Sequence, residues 1–540
     1  MGAEPSYVGR FINPFNSILL RLAEAVGIMI PKSGFNYRAI VSPIFVLLSL
    51  SGLIFSIYIL YLATNPYILF LGACFTLLSI VSMVFGIMSA IWYYRSNNYE
   101  QRFNDMIRNI KKLNKLPTVA VVIPTYNEDL GMVGKNLTSI KKLNYPKNKI
   151  HFYVLDDSSD TKIANGIKAL CNNYGVTLIR RDERTGFKAG ALNNFLKCSN
   201  EEFVAIFDSD ERLINKNFLM DLLPLFGDKA VAYVQTEKTY AKGNFFSDSV
   251  TLYDSIFYRF IQSARALNNT AIFAGSCGIV RRSMLSEVGG FPEYVVEDTF
   301  LSFESKIHGY KNIYVPKVYA LGKPINSFTE FAKQQWRYNY GGTQFLSYFI
   351  KKGEFKKRSI LSNLDYLTHG FGLNYISIVL LIYSLLTAGI IFSAIPILNT
   401  NIFSAGASSA IVGLELLGLF SFSLSMLTPV LLSKVYFNSW KKGLMVFFLN
   451  YALAIVRAKA AIATIFNANP TVNWNKLNIK NSKGKLLDSI YNTKAEITFA
   501  VVFSVLALVS YFGLQSPGAA WIGFYAVMFS LATIFIYKYG

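Results

Sequence analysis

Six long apolar runs, two ahead of a charged middle region and four behind it, constrain this chain more than any other feature. About 20 residues of apolar helix cross the hydrocarbon core of a bilayer. Lipid accepts a spanning backbone only when its polar groups are paired internally. Residues 43–63 and 67–94 satisfy this on one side, and 370–392, 408–432, 498–514 and 519–537 on the other, so all six are read as transmembrane helices. Only residues 64–66 separate the first two, which makes them a hairpin. The loops 64–66, 393–407 and 515–518 carry no Lys or Arg, whereas Arg38, Lys434, Lys441, Lys442 and the whole middle region lie on the opposite side. The positive-inside rule then places both ends and the middle region in the cytoplasm. A seventh run, 444–466, contains Arg457 and Lys459. If it spanned, the basic stretch 476–485 would face outward, so an interfacial or partly re-entrant helix is expected there. Residues 11–30 are interrupted by Asn13, Pro14, Arg21 and Glu24, and read as a helix lying on the membrane surface. Glu415 falls inside a run, where an acid faces a polar cavity or is hydrogen-bonded between helices.

These runs raise the hydrophobic share to 52% of 540 residues, and the net charge is +21. The basic residues track one side of the membrane, and no recognition motif accompanies them, which argues against a nucleic-acid partner. The four cysteines show neither close pairing nor metal spacing, so no disulfide framework or zinc site is expected. The N-terminal residues are not followed by an apolar core and a small-residue cleavage site, so no cleavable signal is expected.

Within the middle region, apolar β-prone runs at 119–123, 152–155, 176–179, 203–207 and 231–234 alternate with helical patterns at 134–142, 162–174 and 189–198. Such alternation predicts βαβ units and a mainly parallel sheet, whose ligands bind outside the carboxyl ends of the strands. Those ends carry the chemistry. Asp208-Ser209-Asp210 closes the run 203–207. Two acids there need a positive partner, and a hard divalent cation sharing phosphate oxygens supplies one, although Asp-Ser-Asp is also ordinary turn chemistry. Asp156-Asp157-Ser158-Ser159-Asp160 can bond ribose hydroxyls and a base N–H, or cap the next helix. Pro124-Thr125-Tyr126-Asn127-Glu128 makes a tight loop suited to a base and ribose, or a plain turn. In the segment Arg180 to Gly190, Lys188 and a helix N-terminus would favour phosphate.

In this order, Pro-Thr-Tyr-Asn-Glu, Asp-Asp-Ser-Ser-Asp, Arg184-Thr-Gly-Phe-Lys-Ala-Gly-Ala-Leu192 and Asp-Ser-Asp resemble the processive membrane branch of glycosyltransferase family 2. That branch includes cellulose, hyaluronan and mannan synthases, and the wording is closest to the plant glucomannan-synthase-like group. The resemblance implies a GT-A type α/β nucleotide-sugar-binding domain, cytoplasmic and inserted in an α-helical transmembrane bundle. It implies Asp208 and Asp210 as ligands of Mg2+ or Mn2+. It implies Thr125, Tyr126, Glu128, Asp157, Lys188 and Asp208 as nucleotide-binding residues. Gly275-Ser276-Cys277-Gly278 with Arg281, Arg282 and Gly289-Gly290-Phe291 resembles the acceptor-side segment. Val295-Val296-Glu297-Asp298 resembles the Thr-Glu-Asp motif, with Val296 at the Thr position. By that match Asp298 is the general base, and Cys277 and Glu297 lie on the acceptor side. Glu297-Asp298 also reads as a helix N-terminus, where the dipole favours acids.

Gln334-Gln335-Trp336-Arg337-Tyr338 resembles the signature that binds the diphosphate through Gln334, Gln335 and Arg337. Its last residue, an acceptor platform, is Tyr338 where the family has Trp. The stretch Pro470 to Lys480 stands in the place of the gating loop, with only Trp474 and Lys480 left of that pattern. The organisation expected is a cytoplasmic or interfacial segment 1–38, a hairpin 39–94, a cytoplasmic catalytic domain 95–358 with interfacial helices, and a membrane region 359–540. That last region contains the interfacial helix 444–466 and a gating segment 467–495. The resemblance implies a multi-pass enzyme of the cell membrane. It would pass a sugar, with inversion, from a UDP- or GDP-linked donor to a growing polysaccharide and export the product among membrane lipids. Single transfer to a lipid acceptor, or a non-catalytic transporter or scaffold on the same fold, are the alternatives.

Overall fold

The computed structural model describes residues 66–108, 115–370, 439–466, 480–513 and 519–540, with scattered positions between 50 and 61 and between 378 and 433. The segment 1–38, the spans 43–63, 370–392 and 408–432 apart from single positions, Glu415 and Trp474 lie outside the described residues.

A helix of 43 residues, α1 (Pro66–Arg108), leads into an eight-stranded sheet of order β3-β2-β1-β4-β7-β6-β8-β5. The strands β1 (Val119–Thr125), β2 (Ile150–Asp156), β3 (Thr177–Ile179) and β4 (Phe203–Ile206) run parallel. β1 is central and covered on both faces. Val119, Val121 and Ile123 enter one core, Ala120 and Val122 the other, and all five are fully buried. This is why β1 reads as an unbroken apolar run rather than an alternation.

The connecting helices are α2 (Leu130–Ile140), α3 (Thr161–Tyr174) and α4 (Phe187–Lys197). Asp129 caps α2 by accepting from Met132 N at 2.8 Å. Asp160 caps α3 through Lys162 N and Ile163 N at 2.8 and 3.2 Å. Each cap satisfies amides that have no partner inside the helix.

The other half of the sheet departs from the parallel expectation. β5 (Arg212–Leu213) follows β4, and the short helix α5 (Phe218–Leu222) leads to β6 (Val231–Tyr240). β7 (Gly278–Arg281) inserts antiparallel between β4 and β6, and β5 pairs antiparallel with β8 (Lys311–Gly322). Only β6 and β8 are parallel there, with register shifts. β7 is four residues long and starts on a glycine, too short for any period to mark it.

Between β6 and β7, α6 (Phe245–Ile256) continues through a π-helical turn, Phe257–Gln262. Between β7 and β8 lie α7 (Arg282–Val288) and α8 (Glu297–Ile307), and after β8 comes α9 (Phe328–Lys352). Beyond them stand α10 (Trp440–Ala452), α11 (Ala454–Phe466), α12 (Leu486–Asn492), α13 (Lys494–Leu508) and α14 (Ala519–Tyr539). Phe246 from α6 and Phe328 and Phe331 from α9 share one core with Met445, Leu449, Phe535 and Ile536.

Among the described residues, two helices are long and apolar enough to cross a membrane, Lys494–Phe512 and Ile522–Tyr539. The run 444–466 is two helices meeting at 43°, a broken span or a re-entrant pair. Its Arg457 is fully buried, donating to Gln335 Oε1 at 2.7 Å, Tyr253 Oη at 2.9 Å and Asn450 Oδ1 at 3.1 Å. A buried cation is tolerated when its N–H groups find acceptors.

Candidate active site

The carboxyl ends of β1, β2 and β4 open on one side of the sheet and bring four sequence motifs into a single cleft. Backbone strain marks it. Of the positive-φ residues other than glycine, Asn127 (φ 52°) and Phe187 (φ 48°) belong to two of these motifs, and Cys277 (φ 51°) to the segment Gly275–Gly278 beside them. Such strain persists only where surrounding structure enforces it.

At the end of β2, both carboxylates are matched by arginines. Arg180 bonds Asp156. Arg181 forks onto Asp157, with Nε to Oδ1 at 2.9 Å and Nη2 to Oδ2 at 2.6 Å. Thr125 is buried, its hydroxyl donating to Asp156 Oδ1 at 3.1 Å. Tyr126 lies at the mouth of the same pocket, its ring covered by the Arg184 guanidinium at 3.4 Å.

At the end of β4, acids outnumber their partners. Asp208 takes Lys188 Nζ on Oδ1 at 2.6 Å and Lys238 Nζ on Oδ2 at 3.4 Å. Lys238 also reaches Glu211 Oε1 at 3.1 Å. The Ser276 hydroxyl lies 2.8 Å from Asp208 Oδ2 and 2.6 Å from Glu211 Oε1. Burial alone would raise Asp208, but the two ammonium groups hold it well below the usual carboxylate range. Asp210 is less well compensated: burial, then Asp208 and Glu211, push it up to about 7 against the pull of Lys238. Glu128, hydrogen-bonded to Ser209, is also raised by burial and by Asp208.

A divalent cation fits this surplus of hard oxygen donors. Among the described residues no group of three or more Asp, Glu, His or Cys side chains is arranged to hold a metal. An ion would therefore take one or two carboxylates and draw its remaining ligands from phosphate and water.

Lys188 ties this acidic end to a second pair of acids. Besides Asp208 it donates to Gly275 O at 3.0 Å, and it lies 4.0 Å from Glu297 Oε1. Gly275 has φ +77°, and a Cβ there would sit 3.2 Å from Asp298 Oδ2. Glycine is needed both for the backbone and for this close approach. Glu297 and Asp298 open α8, and Asp298 Oδ1 accepts from Thr299 N at 2.7 Å, so the helix-start reading holds beside any catalytic one. Burial, with Asp298 adjoining, pushes Glu297 up to about 7, and burial also raises Asp298 against the pull of Lys188 and Arg337.

Residues 120–289 match the sequence model described as Glycosyl transferase family 2. This segment is a family 2 glycosyltransferase domain. The chain is 32% identical over 236 residues to a cellulose synthase catalytic subunit (UDP-forming) of Pseudomonas fluorescens, covering 42% of this chain and 31% of that protein. It is 32% identical over 244 residues to the rice protein named "probable glucomannan 4-beta-mannosyltransferase 7", covering 42% of this chain and 40% of that one. It is 30% identical over 187 residues to a beta-monoglucosyldiacylglycerol synthase of Trichormus variabilis, covering 34% and 40%. The chain thus spans well under half the length of each relative.

Around the glycosyltransferase cleft the remaining motif residues divide. Arg337 and Tyr338 lie on the cleft side of α9, where the Arg337 guanidinium is 5.3 Å from the Tyr338 ring and close to Glu297 and Asp208. Gln334 is half-buried on the same helix. Gln335 turns the other way, fully buried, its Oε1 accepting from Arg457. Adjacent helical positions point about 100° apart, so the five-residue signature cannot all face one ligand.

Cys277 is also buried, its thiol toward Glu211 beneath the cleft floor rather than toward an acceptor. Arg281 and Arg282 lie at the far end of β7. Arg281 pairs with Phe203 at the start of β4 and donates to Val231 O at 2.8 Å, and Arg282 bonds Ser199 Oγ at 2.9 Å, so neither reaches the cleft. Lys480 is exposed, its amide 3.4 Å from Asn492 Oδ1.

Sequence reasoning missed Lys238, Glu211 and Asn136, and it named Ser276 only within the acceptor-side segment rather than as a partner of Asp208 and Glu211. Asn136 Nδ2 donates to Asp208 O and Glu211 O at 2.8 and 2.6 Å and fixes the turn after β4. Glu211 adjoins the acidic triplet and was findable by position. Lys238 lies on a strand, with no local pattern to mark it.

Proposed function

We propose that the chain is an inverting, divalent-metal-dependent glycosyltransferase, taking a sugar from a nucleotide diphosphate sugar and adding it to a growing polysaccharide. The observation that carries this reading is Lys188, whose ammonium links the donor-side carboxylate Asp208 to the Glu297–Asp298 pair across Gly275. One cation thereby stands between a leaving group and a base.

Asp298 takes the proton from the acceptor hydroxyl as that oxygen bonds the sugar's anomeric carbon, while the carbon–oxygen bond to the diphosphate breaks. A carboxylate raised toward neutrality by burial is suited to this task. Lys188 and Arg337 offset charge gathering on the departing diphosphate. Asp210, with Asp208, would hold Mg2+ or Mn2+, which supplies further neutralisation of that diphosphate. Tyr126 and Asp157 hold the nucleotide, and Tyr338 offers its ring to the acceptor.

In this reading the enzyme sits in a membrane with its cleft on the cytoplasmic face and the product leaves through the helical region, a reading supported by the two long apolar helices. The similarity to a glycolipid synthase favours a second reading, single transfer to a lipid. Purified full-length protein in lipid, with magnesium or manganese and labelled UDP- and GDP-sugars, separates the two. Glycosidase-sensitive label of high molecular weight is expected. Label found only in the organic extract would assign a lipid acceptor, and no transfer from any donor would overturn both readings.

A further inference from the structure

The donor pocket contains a residue whose chemistry none of these roles uses. Arg184 lies flat over Tyr126 with its guanidinium carbon 3.4 Å from the ring centroid, and 5.0 Å from the Phe187 ring. A guanidinium is planar, delocalised and weakly hydrated, so it stacks on an aromatic face much as a nucleobase does. Yet its hold is poor. Its nearest acid, Asp157 Oδ2, is 4.0 Å away, and both oxygens of that carboxylate already bond Arg181. Among the described residues its buried Nε has no hydrogen-bond partner. A buried donor left unpaired is a penalty that displacement into water removes. Arg181, by contrast, is fixed by Asp157 and by Phe187 O at 2.8 Å, so Arg184 can leave without unfolding the loop.

We propose that Arg184 is a built-in competitor for the nucleobase of the donor. It occupies the stacking face of Tyr126, and the base of a nucleoside diphosphate must displace it to bind. Arg184 thereby sets the threshold of donor affinity and is a specificity-determining residue, since bases that stack strongly displace it more readily. The proposal rests on the reading of Tyr126 as part of the donor site.

The test is calorimetric titration of full-length protein in lipid nanodiscs with UDP and with GDP. About 0.5 M NaCl screens the attraction of the arginine charge for phosphate. Arg184→Ala should tighten binding of whichever nucleotide the site accepts by about two- to fivefold, the strength of an exposed cation–π contact. Arg184→Lys keeps the charge but loses the planar stack, and should tighten binding in the same direction. Weaker or unchanged binding in both variants would overturn the proposal. Tyr126→Ala supplies the separate control: it should weaken nucleotide binding. If it does not, the donor-site reading itself fails, and the competitor role fails with it.

Discussion

Two acidic strand ends flank β1 in this cleft and are built on opposite principles. At the end of β2 each carboxylate has its own arginine, Arg180 on Asp156 and Arg181 on Asp157. At the end of β4 the carboxylates Asp208, Asp210 and Glu211, with Glu128 beside them, share two lysines. The first arrangement is balanced and rigid, suited to shape a pocket. The second is short of positive charge, and Asp210 carries the deficit. The contrast teaches that carboxylates one strand apart do different work according to whether the protein itself supplies the counter-charge.

The most severe way to test this division is to remove the proposed base, which lies outside both ends. Asp298→Asn should lower turnover about a thousandfold with nucleotide binding preserved, read by single-turnover transfer and calorimetry. Near-normal turnover would show that the proton goes elsewhere.

Asp157→Ala breaks the balanced end. Arg181 would be left as a largely buried unpaired cation, and stability should fall by about 3–5 kcal/mol in denaturant unfolding. A loss below about 1 kcal/mol would mean that the fork is not structural.

The crowded end should behave in the reverse sense. Asp210→Asn should abolish metal-dependent transfer and yet raise the melting temperature above pH 7 by a few degrees, because it removes an ill-compensated charge. The sign follows from linkage. With its folded pKa raised from 3.8 to about 7, Asp210 binds more protons folded than unfolded, so its contribution to stability declines as pH climbs between those values. The variant should flatten that decline in a metal-free melting series, and unchanged slopes would refute the crowding.

The smallest effect concerns the acid limb of the rate. Transfer should rise as pH increases through about 7, with an apparent value belonging to the Glu297–Asp298 pair. Glu297→Gln should move that limb to lower pH. A limb that stays in place would dissociate the two acids.

Much of the parallel half was legible, because β1 to β4 are apolar runs separated by helices, two of them capped by Asp129 and Asp160, and punctuated by acids. The antiparallel half was not. β7 is four residues, β5 two, and the register of β6 on β8 is interrupted, so neither length nor period announces them. Asp208, Asp298 and Lys188 were found by motif because their neighbours in sequence are also their neighbours in the cleft. Lys238 and Ser276 come from distant strands and loops, and their role exists only after folding. The facing of Gln335 was hidden for a different reason. A motif gives spacing along a helix, and only packing against Arg457 says which side is buried. The break at Leu453 carries no Pro or Gly to mark it.

The core that joins Phe246, Phe328 and Phe331 to Met445, Leu449 and Phe535 bears on how this protein can be handled. A recombinant fragment ending near residue 358 would present those aromatic faces to water and orphan Gln335. The half of the chain that holds the cleft is therefore not a portable cassette. Its stability is mortgaged to the helices behind it, and a detergent that loosens those helices acts on the cleft as a denaturant would.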